Sequence, residues 1–334
     1  VGGNDGMLHA FNGGWYNKTR HQFSAVKPGY TEWVLGQETW GFVPYNVLPY
    51  LRYLSKPDYG VKETDHAYFI DQSPYVFDAK IFGQGEVSGQ ADTQNGPTHP
   101  NGWGTLLVVG FRTGGGVSEV YADPRDESSI VTIRPAYLIF DITDPEQEPK
   151  LLAEFTHEKL GSSMSTPTAL TVGHANRDDW YLVFGSGPSA TVRGRRHVIS
   201  EQNAHLFMFN LKTLRLEDSF GNAGELDLEE RNAFVGDIVA VDMDLDGTTD
   251  AAYFGTVSAL DGTEANLGEP LQNWGGRLFR LRVEKGMGQH QWRVDLMFDA
   301  EAPIPMRPNV SFDKNNNRWV HVGTGRFYTE NDLN

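Results

Sequence analysis

One strand type returns through the chain at a nearly constant interval. It is an apolar or aromatic run ending in glycine: Leu106-Leu107-Val108-Val109-Gly110, Tyr181-Leu182-Val183-Phe184-Gly185, Ala252-Tyr253-Phe254-Gly255 and Val320-His321-Val322-Gly323. The four glycines stand 75, 70 and 68 positions apart. A second strand type follows each of the first three copies, at Ala136–Asp141, His205–Asn210 and Arg277–Arg282, and Met7–Asn12 looks like an earlier copy of it. A third type leads into the last three glycine-terminated strands, at Thr166–Val172, Gly236–Val241 and Arg307–Phe312. The unit is therefore strand, polar turn, glycine-terminated strand, loop, strand. Repeated antiparallel units of this kind stack on one another to bury a shared core. The fold class expected is all-β, a modified β-propeller with long inter-strand loops. An interval near 70 means blades with long insertions, or a blade plus part of the next.

Composition agrees with short strands and tight turns. The chain has 37 glycines and 12 % aromatic residues, a mixture suited to strands and turns rather than helices. Helix is expected only at Asn46–Leu54, with Pro49 early in it. Residues 83–103 and 112–133 are rich in Gly, Ser, Asp and Pro and read as long loops. Residues 1–334 read as a single β-propeller domain. The chain opens inside a strand at Val1 and stops at Asn334 without a closing element, so it reads as part of a longer protein whose N-terminal region lies elsewhere.

Charge and residue content narrow the partners. There are 28 Lys and Arg against 44 Asp and Glu, a formal net charge of -16. Such a surface repels nucleic-acid phosphates and anionic lipid and is compatible with divalent cations. No cysteine is present, which removes disulfides, thiolate metal sites and cysteine nucleophiles together. The longest apolar runs are far shorter than the roughly 20 residues a membrane span needs. No Gly-x-Ser-x-Gly elbow and no His-Glu-x-x-His zinc motif occur. Gly83-Gln84-Gly85 is a near miss to a dinucleotide fingerprint and reads as loop. No catalytic residues, organic cofactor or enzymatic activity are expected.

The polar turn of the third unit carries the one strong chemical motif, Asp242-Met243-Asp244-Leu245-Asp246-Gly247-Thr248-Thr249-Asp250. Carboxylates at positions 1, 3, 5 and 9 with glycine at 6 reproduce the spacing of an EF-hand loop. Calcium is a hard cation that takes six to eight oxygens, and alternate side chains of a curled loop converge on one centre. The expected ligands of a single Ca2+ are Asp242, Asp244, Asp246, the Thr248 carbonyl and Asp250. Position 12 is Tyr253 rather than the usual bidentate Glu, and the flanks are strand-like. The ion would thus close a β-hairpin and not a helix pair. The equivalent turns, Gly173–Asp179 and Asp313–Asn317, have too few placed carboxylates and read as ordinary Asn/Asp turns.

Several segments, taken in order, carry a resemblance. They are Val1–Phe11, Glu38–Pro44 with Leu48–Leu51, His66–Pro74, Val76–Asp78, Trp103–Gly110, Phe140–Pro145, the acidic turn, and Val322–Tyr328 with Asn331-Asp332. Together they resemble the C-terminal propeller of the PilY family of type IV pilus tip-associated and pilus biogenesis proteins. The resemblance implies about seven blades and a role in pilus assembly and in calcium-regulated extension versus retraction, with twitching motility and surface adhesion in some members. It implies minor pilins or the pilus tip complex as partners, a host or surface receptor for adhesive members, and a location at the pilus tip or cell surface with passage through the periplasm. No Arg-Gly-Asp tripeptide is present. Two other readings compete. One is an extracellular glycan-binding or adhesion propeller whose calcium is purely structural. The other is a quinoprotein-like dehydrogenase, which Gly3–Phe11 also resembles; the 8 tryptophans lack regular spacing and the vicinal cysteines of such enzymes are missing.

Overall fold

A computed structural model describes residues 1–334 except 26–33, 62–65, 83–98, 146, 175–176, 190–197, 217–223, 261–272, 285–290 and 329–334. Three antiparallel meanders dominate it. The first sheet runs Tyr75–Lys80, Trp103–Gly110, Tyr137–Asp141, Lys150–Phe155. The second runs Thr168–His174, Arg177–Gly185, His205–Asn210, Arg215–Leu216, with Glu225–Asp227 also paired to its third strand. The third runs Ala233–Val241, Ala251–Ala259, Arg277–Glu284, Gln291–Asp299. Before them lies a pair, Leu8–Phe11 with Glu38–Phe42, and after them a hairpin, Asn309–Phe312 with Arg318–His321. Each interval of about 70 residues is thus one blade with long loops, and the glycine-terminated run is its second strand. In the third sheet Trp274–Gly275 also pairs with the second strand, so the described residues hold one four-stranded and two five-stranded sheets, with four two-stranded pairs besides.

In the first and second sheets the apolar runs are continuous because both faces are buried, each against a neighbour in chain order. Side chains alternate across a strand with period two. Leu107 and Val109 pack with Leu8, Val47, Leu138 and Phe140, while Leu106 and Val108 pack with Tyr137, Leu182, Phe184 and Phe207. In the second sheet Leu182 and Phe184 point back to the first sheet, and Tyr181 and Val183 point forward to Val235, Ile238, Phe254 and Phe279. Burying each such side chain stabilises the fold by roughly 1.5–3 kcal/mol, so the cores between sheets hold the stack.

At two of the repeated glycines, Gly185 and Gly255, residues of the segment that follows press close. A Cβ on Gly185 would lie 2.1 Å from the Val235 Cβ, and one on Gly255 would lie 2.3 Å from the Ile304 Cβ. On Gly110 it would meet Gln72 Oε1 at 2.5 Å. Gly323, at the last repeat, has nothing within 4 Å among the described residues.

The expected helix shrinks to a 3-10 turn at Tyr45–Val47 followed by one α turn at Leu48–Leu51, with Pro49 in its first turn. Residues 112–133, expected as loop, contain a hairpin of Ser118–Tyr121 with Ile130–Ile133. Val120, Tyr121, Ile130 and Val131 give it strand propensity, and the turn-forming residues between them outweigh that signal locally. Gly83–Gly85 lies outside the described residues. No helix among the described residues is long and apolar enough to cross a membrane.

The opening pair is fastened by an ionic clip. His9 Nδ1 lies 2.7 Å from Glu38 Oε1 and Nε2 lies 2.9 Å from Asp5 Oδ2. Gly41 stands opposite His9 in register and leaves room for the ring. The hydrogen bond to Glu38, helped by that to Asp5, raises the imidazole above its ordinary pKa and outweighs desolvation. A raised folded-state value stabilises fully below the unfolded value of about 6.5, and the gain is lost as pH rises through the folded value. Between about pH 6 and 9, the melting temperature should therefore fall more steeply for the wild type than for His9→Gln. Parallel pH profiles for the two proteins would show that the clip contributes nothing.

Candidate metal centre

Two long strands of the third sheet, Ala233–Val241 and Ala251–Ala259, bring Val241 opposite Ala251 and so close the nine-residue acidic turn. The Asp250 amide donates to the Val241 carbonyl at 3.0 Å. The turn is also docked on the second sheet: the Thr249 amide donates to the Thr171 carbonyl at 2.7 Å, and the Thr171 amide donates to Thr249 Oγ1 at 3.1 Å. Leu245 and Gly247 both take positive φ, 60° and 88°. Glycine accepts that region without cost, while a bulky residue does so only under constraint. Leu245 is 86 % exposed, so the curl is set by the turn and not by packing of its side chain.

This curl gathers carboxylates. Ligand oxygens of Asp242, Asp244 and Asp250 all lie within 4.8 Å of one another, with Asp242 and Asp250 half-buried and Asp244 exposed. Main-chain amides fix them: Met243 donates to Asp250 Oδ2 at 2.7 Å, Gly247 donates to Asp242 Oδ2 at 2.8 Å, and Asp246 donates to Asp242 and Asp244 at 3.3 Å each. Asp246 itself is turned onto Thr248, whose amide and hydroxyl donate to its Oδ1 at 2.8 and 2.6 Å. Of the four carboxylates that the sequence spacing places on one centre, the folded turn brings three together, Asp242, Asp244 and Asp250.

The three fit a hard cation. Oxygens 2.3–2.6 Å from one calcium ion can be no more than about 5 Å apart, which the cluster satisfies. Each pair of carboxylates at that separation costs roughly 1–3 kcal/mol between dielectric constants of 80 and 20, and the amide donors offset only part of it. The two equivalent turns differ. Asp179 pairs with Lys212 at 3.6 Å. Asp313 accepts the amides of Asn315 and Asn317 at 2.8 and 2.9 Å and the Asn317 side chain at 2.7 Å, which engages it within its own turn.

Sequence reasoning missed what stands beside the acidic turn. Arg280 and Arg282 share one face of the strand Arg277–Glu284, opposite the core face of Phe279 and Leu281. Asp295 answers both, at 3.0 Å to Arg280 and 2.6 Å to Arg282. The alternation Arg-Leu-Phe-Arg-Leu-Arg held the signal for the shared face; their nearness to the acidic turn depends on strand pairing.

An all-β domain of propeller type, with one acidic hairpin turn, is the class that this fold and site define. Over its whole length the chain aligns with two curated proteins of Xylella fastidiosa, each named a type IV pilus biogenesis factor PilY1 homolog, at 22 % identity over 343 residues and 25 % over 354. It spans about a fifth of their length, 20 % and 18 %. Among solved structures it matches the Pseudomonas aeruginosa PilY1 C-terminal domain with a TM-score of 0.56 and 20 % identity, over 99 % of this chain and 53 % of that one. No family model matches. The chain is homologous to these PilY1 homologues and shares the fold of the PilY1 C-terminal domain.

Proposed function

We propose that this chain is the calcium-binding propeller portion of a type IV pilus biogenesis factor. It supports pilus assembly without catalysis and sets the balance of extension and retraction by calcium occupancy. The observation that carries this is the convergence of Asp242, Asp244 and Asp250 within 4.8 Å on a fold shared with the PilY1 C-terminal domain. These three carboxylates hold the ion, and Asp246 and the Thr248 carbonyl complete its oxygen shell. Bound calcium would cancel the mutual repulsion and stiffen the hairpin, whose end leans on the second sheet through Thr249 and Thr171. Loop order would then report external calcium to an adjoining surface. The partners are minor pilins or the pilus tip complex, outside the cytoplasm, with adhesion to a surface receptor as a further role.

The test uses the full-length parent protein. Surface pili and twitching are measured at high and low calcium for the wild type and for the double variant Asp242→Asn/Asp250→Asn. The variant should behave at high calcium as the wild type does under chelation. Pili and motility that ignore both calcium and the substitutions would overturn the proposal.

A further inference from the structure

The connector between the first and second sheets runs past a carboxylate that faces three bases. Glu225 stands on the short strand Glu225–Asp227. Lys159 Nζ lies 2.7 Å from its Oε1, His205 Nε2 lies 3.5 Å from the same oxygen, and His157 Nε2 lies 3.5 Å from its Oε2. His205 opens the third strand of the second sheet, on the same face as Phe207. Phe207 packs against the rings of Phe155 and His157, with centroids 5.5 and 5.2 Å away. The cluster therefore sits at the rim of the core between the two sheets. Hydrogen bonds close the connector over it: the Gln202 side chain donates to the Lys159 carbonyl at 2.7 Å, and the Gly187 amide donates to the Leu160 carbonyl at 2.8 Å.

His205 is set up for the neutral ring. It is 3 % exposed, and its Nδ1 has no hydrogen-bond partner among the described residues. With the hydrogen of the neutral ring on Nε2, toward Glu225, a second proton goes to Nδ1. It would put a charge and an unmet N–H donor in the same buried place. The titratable and charged groups around the ring are Glu225 and Asp227 from the short strand and His157 and Lys159 from the connector. Glu158 acts on it through Lys159. Asp227 is engaged elsewhere: both its oxygens accept the Asn203 side chain at 3.0 Å, and one accepts the Glu229 amide at 2.7 Å. Burial lowers the His205 imidazole below its ordinary pKa, with Lys159 and His157 acting in the same direction and Glu225 and Asp227 opposing them.

We propose that this cluster is an acid-sensitive latch on the seam between the first two sheets. With His205 neutral, the connector 157–160 lies closed over the core. A proton on His205 drives the ring toward water, and the connector must lift to let it out. The folded state disfavours the proton and the open state does not. Stability of the closed seam is therefore fully present above the unfolded value of about 6.5 and is lost as pH falls from there through the folded value. The latch uses no residue of the acidic turn and stands apart from the calcium reading.

The test is hydrogen exchange on the 334-residue chain at about pH 7.5 and about pH 5, corrected for the intrinsic effect of pH on exchange. Chelator is present throughout, so that the acidic turn does not change its metal with pH. The Leu160 and Gly187 amides are both bonded in the closed connector. Their protection in the wild type should fall by about tenfold or more on acidification. Protection at Phe254 and Leu281, in the core between the second and third sheets, should change far less. His205→Gln keeps an amide donor and takes no charge, and should remove most of the loss. Lys159→Gln, an exposed change, frees Glu225 to hold a charged His205 and should shrink it. Equal protection at both pH values in the wild type, or a loss that both variants share in full, would overturn the latch. Where His205→Gln does not fold, an undiminished loss in Lys159→Gln does so alone.

Discussion

Gly185→Ala and Gly255→Ala should each cost about 2–4 kcal/mol of stability, while Gly323→Ala should change it by less than about 0.5 kcal/mol. The three positions hold the same place in the repeat and differ in what lies above them. At Gly185 the new methyl would fall 2.1 Å from the Cβ of Val235, a fully buried side chain on the first strand of the next blade. At Gly255 it would meet the Ile304 Cβ at 2.3 Å and the Ile304 carbonyl oxygen at 2.5 Å. Both obstacles are backbone or the stiff root of a branched side chain, so relief requires the sheets to part. Parting them loosens the core that Tyr181, Val183, Val235 and Phe254 share. At Gly323 nothing among the described residues lies within 4 Å. Urea unfolding reads the effect as a shift of the midpoint at constant slope. Equal losses at the three sites would show that the glycines serve the backbone of their own strand and not the fit between blades.

The repeat was legible because three of its four copies are strands buried on both faces, whose apolar runs are continuous, while the fourth, ending at Gly323, is exposed. Runs such as Leu106–Val109 and Leu206–Phe209 have no polar face to misread. The hairpin at Ser118–Tyr121 and Ile130–Ile133 was not legible, since its exposed strands alternate with Glu119 and Thr132 and its turn is rich in breakers. In the acidic turn, spacing identified every carboxylate but not the competition among them. The Thr248 amide and hydroxyl claim Asp246, and side-chain capture of that kind depends on backbone curvature that residue counting does not contain. The cluster at Glu225 was out of reach for a different reason. His157 follows the last strand of the first sheet and His205 opens a strand of the second, and only the packing of one unit on the next brings them to one carboxylate.

Calcium should bind the folded chain at one site, with a dissociation constant of about 10⁻⁶ to 10⁻³ M, and calcium at ~100 Kd should add about 2.7 kcal/mol of stability. One site follows because one turn among the described residues gathers three carboxylates within 4.8 Å. The weaker range follows from Tyr253 standing where an EF-hand has its bidentate Glu. Asp242→Ala and Asp250→Ala should abolish the gain, since each removes an oxygen donor already held in the cluster by main-chain amides. Asp246→Ala should weaken binding by about tenfold or more without abolishing it, because that carboxylate must leave Thr248 before it can serve the ion. Asp313→Ala should leave calcium binding intact, as Asp313 is engaged within its own turn. Magnesium should bind poorly, because it demands a smaller octahedral shell and keeps its waters. Without the ion, amide exchange should quicken across 242–250 and stay slow in the central strands, whose cores lie between the sheets. Calorimetry and hydrogen exchange read these outcomes together. Unchanged calcium binding by Asp250→Ala, or no heat at millimolar calcium, would remove the site from this turn.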